Sequence, residues 1–551
     1  MTRLAPDTRL ILEYSSFFKE EPKSRIQFLE GLPKEAILYE LAYLNYLLKA
    51  KNRVQFDDSF ETQISILGHL FKSDFRYDYY LRIILSHIQG KATPSIFLRG
   101  TFLFAMEEIT QSQEISFIEG IKLENISQWE RLFKYLLAVN SELIKIGEKS
   151  KGFEKTPTFE NLNPALIPIN ELAIESNPVF TNYRGFLLAE YLLSVEKYSQ
   201  KLNQYFESNF GCSPKAFVQK IQGVIMHESF EDKKFGFCYR SNGGDPFLDS
   251  LSKRTKNKEL FKFIGIRKSP LIKVNENDYL LADSIFLIEK CYSQFINDFW
   301  FDLLRGECKN REEQDKAIEE LGGHFGRFFE QYCCGILERI FSGYKYSIFL
   351  TLNQLRVSDP KGDSEFSDFY LRYQNKVIVG QIKGGGINDK SKYGGDIDEL
   401  YHLGRDEFFR RFGVDQIAKS VSTLVEMAPI FDRDFPIGKQ LHVFPILVVN
   451  EKVFQTALFA DVFNDRFKEL TSGLNFGKLT IKRLVLTHIS DWENSEAYLS
   501  ESPKRIWEIF ESHYRDKKFV PAFSNTLNKL IPQKKRIPKD FAKRLFEVLT
   551  K

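Results

Sequence analysis

Three side chains of unlike type fall close together in "SEFSDFYLRYQNKVIVGQIKGGG", residues 364–386: the acid Asp368, the amide Gln381 and the base Lys383. The stretch reads as two strands, residues 366–373 and 376–383, joined by the turn-like pair Gln374-Asn375. Strand side chains alternate between faces, so Val377, Val379, Gln381 and Lys383 share one face, while Ile378, Gly380 and Ile382 share the other. Pairing Tyr373 with Lys376 across the turn sets Asp368 opposite Gln381. An acid, an amide oxygen and an ammonium then meet at one end of an otherwise apolar hairpin.

Such a set suits phosphodiester hydrolysis. The Asp368 carboxylate offers oxygen to a hard divalent cation, Mg²⁺ or Mn²⁺, and Gln381 and the Ile382 carbonyl add neutral oxygens. The cation lowers the pKa of a bound water and offsets charge on the phosphate. Lys383 orients or deprotonates that water and stabilises the transition state. Gly384, Gly385 and Gly386 leave room for a nucleic-acid backbone. Asp363 and Glu365, in the polar loop "SDPKGDSEF", replace Asp368 if the first strand begins elsewhere.

These residues need a scaffold, and the surrounding pattern predicts one. "DKAIEELGGHFGRFFEQYCCGILERIF" reads as one helix, or as two meeting at Gly322-Gly323, with His324 near a helix start. "YSIFL" is a short strand, and the hairpin supplies two more. "DEFFRRFGVDQIAKSVSTLVEMA" is a helix, "LHVFPILVVN" a buried strand, and "KLTIKRLVLTHI" a further strand leading to a helix capped by Ser490. The order helix, three strands, helix, strand predicts an α/β fold with one mixed sheet.

Upstream, residues 1–230 read as predominantly helical, with no repeat at solenoid periods. Residues 231–314 read as an adaptor, with a hairpin turning at Asn275–Asp278 and an apolar helix. Residues 501–551 form a basic helical tail; from Pro503 it holds 13 Lys and Arg against 5 Asp and Glu.

The chain of 551 residues is too long for one core, and its 52 Phe and 24 Tyr predict aromatic burial. A net charge of +3 makes only local basic patches informative about nucleic acid. Six cysteines without C-x-x-C spacing predict reduced thiols. With no signal-like apolar block and no membrane-length run, a cytoplasmic location without membrane contact is expected. "GLNFGKLT" misses phosphate-loop spacing by one residue and precedes a strand; no H-E-x-x-H or G-x-S-x-G occurs. Lys390, Lys392, Arg405, Arg410 and Arg411 follow the candidate site and are expected to track phosphates.

The D-x₁₂-Q-x-K pattern across two strands, preceded by a helix with "GRFFEQYCCGIL", resembles the PD-(D/E)xK nuclease superfamily, the restriction-endonuclease-like fold. The Gln-x-Lys variant is similar to Mrr-type restriction enzymes. The resemblance covers residues 315–500 and implies a metal-dependent endonuclease acting on DNA, with a role in restriction or anti-phage defence. It implies that Glu330 in "GRFFEQY" completes the metal site and that Gln416 in "VDQIAKS" supplies a polar contact. DNA is the expected partner, with a second copy of the chain or a defence-system protein beside it. Two departures stand out: Ser367 occupies the Pro position, and the neutral Gln381 occupies that of an acid. Gln381 also favours the rival reading, a nuclease fold that binds DNA or acts as a scaffold without catalysis.

Overall fold

The computed structural model describes residues 9–550 apart from 20–23, 50–56, 58, 73, 89–92, 149–165, 175–176, 231–235, 255–261, 360–361, 395–396, 401–403, 475–476 and 516–519. Two compact units form, one drawn mainly from Met1–Lys151 and Asn163–Leu304, the other from Arg305–Lys392 and Asp396–Lys551. No described helix is long and apolar enough to cross a membrane.

The first unit is mainly helical. Its core is aromatic, with Phe17, Phe71, Tyr80, Phe97 and Phe133 in mutual ring contact. The expected hairpin is present: Leu271–Lys273 and Asp278–Leu281 pair antiparallel, and Cys238–Arg240 adds a third strand. Asn275 Oδ1 accepts the Asn277 and Asp278 N–H groups, which closes the turn. The described cysteines are free thiols.

The second unit is mixed α/β around one mixed sheet. It begins with α1 (Arg311–Phe341), a single continuous helix through Gly322-Gly323, so His324 lies mid-helix rather than near a start. Three antiparallel strands follow, β1 (Ser347–Thr351), β2 (Phe369–Tyr373) and β3 (Lys376–Lys383). Between β1 and β2 a two-stranded ribbon pairs Arg356–Asp359 with Gly362–Glu365. Further on, the expected single helix is three. These are α2 (Arg405–Arg411), α3 (Val414–Ser422) and α4 (Leu424–Phe431), with a corner at Gly413, whose φ of 81° favours glycine.

Strand β4 (Leu441–Val449) then pairs parallel to β3, and beyond it lie β5 (Leu479–Ile481) and β6 (Val485–His488). The last two were expected as one strand. Both pair with β4, and Pro445 falls between the two paired segments, where β4 has no N–H to continue the ladder. The helix after β6 is capped by His488 rather than Ser490, because Asp491 at the third helical position accepts the His488 N–H in a reciprocal cap. Sheet order is β1-β2-β3-β4, then β5 and β6 end to end along the free edge of β4. β3 is therefore central, with six of its eight residues buried, which sets its end inside the fold.

Candidate functional site: the end of the central hairpin

The hairpin register is the one the turn predicts. Tyr373 pairs with Lys376 and Phe369 with Gly380, so Asp368 and Gln381 stand just beyond the last pair. Gln374 adopts a φ of 55°, the positive value a two-residue hairpin turn demands. Gly380 locks this register: a β-carbon there would stand 2.0 Å from the Phe369 ring, which lies across the strand at that point. The first strand begins at Phe369 rather than residue 366, which leaves Asp368 just off its end.

Asp368 is tied down on several sides. Its N–H donates to the Gly380 carbonyl at 3.0 Å, its own carbonyl accepts from Leu352 N–H at 2.9 Å, and the Ile382 N–H donates to its carboxylate. The N–H and C=O of a strand residue leave on the same side, so the Ile382 carbonyl faces that side too. Asp368 and Gln381 are each buried, while Lys383 and Glu330 are half-buried. With its NH₂ group turned to the acid, the Gln381 amide nitrogen lies 3.2 Å and 3.3 Å from the two Asp368 oxygens. Turned over, it presents oxygen at the same distances.

Both acids at this end are raised, burial being the first cause. Burial pushes the Asp368 carboxyl up to about 6, against the pull of Lys383 and the Ile382 N–H. Glu330, on α1, is pushed up to about 7 by burial and then by the Asp368 charge, with Lys383 opposing. The Cys334 thiol, whose Sγ is 3.9 Å from the Asp368 carbonyl, is pushed far up by burial and by the same acids, so it is no nucleophile at neutral pH. Lys383 takes its direction from Gly413: a β-carbon there would stand 2.8 Å from Lys383 Cε and 3.1 Å from Cγ.

The donors that a hard cation could use at this end are two carboxylates and two neutral oxygens. Asp368 and Glu330 supply charge, and Gln381 in its oxygen-facing orientation and the Ile382 carbonyl supply neutral oxygens. The fit depends on those neutral oxygens, because among the described residues no three His, Cys, Asp or Glu side chains group to hold a metal. Glu365 ends the ribbon, its carboxyl raised by partial desolvation with Arg356 and Lys383 opposing; the side chain of Asp363 lies outside the described residues.

The glycines after β3 serve the protein itself. A β-carbon on Gly384 would stand 3.2 Å from Phe329 Cβ, and one on Gly386 2.6 Å from Glu451 Oε1. Gly384 thus seats α1, and Gly386 seats Glu451; of the three, Gly385 alone faces a cation, Arg411. Lys392 is committed to Glu451 at 2.7 Å, which also accepts the Ile387 N–H. Arg410 pairs with Glu407 and Arg405 with Glu469. Gln416 is exposed on the first turn of α3. The side chain of Lys390 lies outside the described residues. Sequence reasoning missed Glu451, Gly413 and Cys334, because each meets the hairpin only through the tertiary fold.

No family model, characterised protein or solved structure matches this chain.

Proposed function

We propose that the second unit is a metal-dependent nuclease that hydrolyses DNA phosphodiesters, with a restriction-endonuclease-like fold of the PD-(D/E)xK kind. The observation that carries this reading is the meeting of Asp368, Gln381 and Lys383 at one buried end of the central hairpin. The strand sequence supports it as well: helix, three antiparallel strands, helices, then a parallel strand against β3.

Asp368, Glu330, the Gln381 amide oxygen and the Ile382 carbonyl would hold a Mg²⁺ or Mn²⁺, which supplies a water of lowered pKa and offsets phosphate charge. The Ile382 N–H keeps the Asp368 carboxylate facing the site. Lys383 Nζ, its stem braced on Gly413, donates to the phosphoryl oxygen on which charge builds. Burial of Asp368 and Gln381 excludes bulk water from that side and strengthens each interaction. By analogy with its resemblance, the protein serves restriction or anti-phage defence in the cytoplasm, with its helical unit recognising substrate or a partner.

The rival reading, a nuclease fold that binds DNA without cutting it, draws on Gln381, which leaves the site two carboxylates. Cleavage of supercoiled plasmid with Mg²⁺ or Mn²⁺ separates the two. The wild type should nick the plasmid only with metal, and Asp368→Ala and Lys383→Ala should not. Cleavage unchanged in both variants would refute the site. An inert wild type that still shifts DNA in a gel would favour the rival.

A further inference from the structure

The basic residues that follow β3 are unlike one another, and their pairing separates them. Glu451 holds Lys392, Glu469 holds Arg405, and Glu407 holds Arg410. Arg411, the last residue of α2, is exposed and has no carboxylate partner among the described residues. Its Nε lies 3.8 Å from where a β-carbon would stand on Gly385. Two residues on, Gly413 presses on the Lys383 stem. The corner between α2 and α3 therefore grips the end of β3 at two points, Arg411 on Gly385 and Gly413 on Lys383. Two extended residues span at most about 7 Å, so the guanidinium and the ammonium flank one short piece of backbone. An unpaired guanidinium is a fork matched to phosphate oxygens, and Gly385 places no side chain in front of it.

We infer that Arg411 seats the phosphate next to the scissile one, so that the substrate is a polynucleotide gripped over at least two consecutive phosphates rather than a lone diester. This rests on the hydrolytic reading above. It assigns Lys383 to the reacting phosphate and Arg411 to its neighbour, and it leaves Lys392, Arg405 and Arg410 as parts of the scaffold.

The test is a double cycle on an oligonucleotide that the wild type cleaves. Arg411→Ala removes the charge from the protein; a methylphosphonate at one or the other phosphate flanking the scissile one removes it from the substrate. Arg411→Ala should raise KM about tenfold, with kcat changed less than about threefold. A methylphosphonate on one side should raise the wild-type KM by a similar factor, and the variant should lose nothing more on that substrate. The slope of log affinity against log salt should become shallower by about 0.9, and Arg411→Lys should recover part of the loss. An unchanged KM in Arg411→Ala, a fall in kcat in its place, or penalties that multiply to about a hundredfold in the combination would overturn the role of Arg411 while leaving the nuclease reading intact. A wild type that cleaves no oligonucleotide with Mg²⁺ or Mn²⁺ would overturn that reading and this inference together.

Discussion

Gln381→Glu places a second carboxylate where the amide now faces Asp368. The amide terminus stands 3.2 Å and 3.3 Å from the two Asp368 oxygens. Two oxyanions at that separation repel by roughly 5 kcal/mol at an effective dielectric of about 20. Asp368 is already pushed up to about 6 by burial, so the pair resolves the conflict by keeping one proton. Holding a carboxyl protonated at neutral pH, against an unfolded pKa near 4.3, costs about 4 kcal/mol. In this unit that is a fall in Tm of roughly 8–16 °C. The folded pKa of the added group is raised, so its penalty is absent below about pH 4 and grows as pH climbs towards the folded value. A divalent cation reverses the balance, because the new carboxylate becomes a ligand in place of a proton carrier.

Thermal unfolding of wild type and variant, between about pH 4 and pH 8, in EDTA and in excess Mg²⁺, reads all of this. The variant should be less stable in EDTA near pH 8, match the wild type near pH 4, and regain or exceed wild-type stability with Mg²⁺. Equal stability in EDTA near pH 8 would refute the contact between residue 381 and Asp368. A deficit indifferent to Mg²⁺ would refute the cation site.

Three further outcomes follow from the same geometry. Because Asp368 is raised from 3.8 to about 6, the stability of metal-free wild type relative to Asp368→Asn should be greatest below about pH 4 and fall by about 3 kcal/mol as pH rises through 6; a pH-independent difference in urea melts would refute it. Gly380→Ala drives a methyl group into the Phe369 ring and should cost about 1–3 kcal/mol, with Phe369→Leu in the same chain restoring most of it by denaturant titration. Glu451→Ala removes a buried partner of Lys392 and the acceptor of the Ile387 N–H and should cost about 2–3 kcal/mol, with faster amide exchange over residues 384–388 as its signature.

The hairpin was legible because everything that sets it is local. A turn pair fixes the register, alternation fixes the faces, and the run Val377–Val379 is apolar enough to announce a central strand. The order of helices and strands in the second unit was legible for the same reason. What escaped the sequence lies in contacts across long separations. Glu451 reaches Gly386 and Lys392 from the end of β4, and no spacing rule links them. Gly384 and Gly386 looked like clearance for a ligand, yet their missing side chains are filled by Phe329 and Glu451. Helix interruptions and strand breaks were also hidden. Gly413 divides one apolar-periodic run into separate helices, and Pro445, on β4, divides the run that pairs with it into β5 and β6. Basic residues were legible as a cluster but not as individuals, because only the fold decides which carboxylate each one meets.

The central claim is that the end of the hairpin holds a divalent cation for phosphodiester chemistry. Anomalous diffraction from crystals of the wild-type protein soaked in Mn²⁺ tests it most directly. The account predicts one strong peak in contact with carboxylate oxygens of Asp368 and Glu330, the Ile382 carbonyl and Gln381, with the amide oxygen turned inward, and no peak there in Asp368→Ala crystals. A wild-type site without a peak, or a peak whose ligands exclude Asp368, would contradict it.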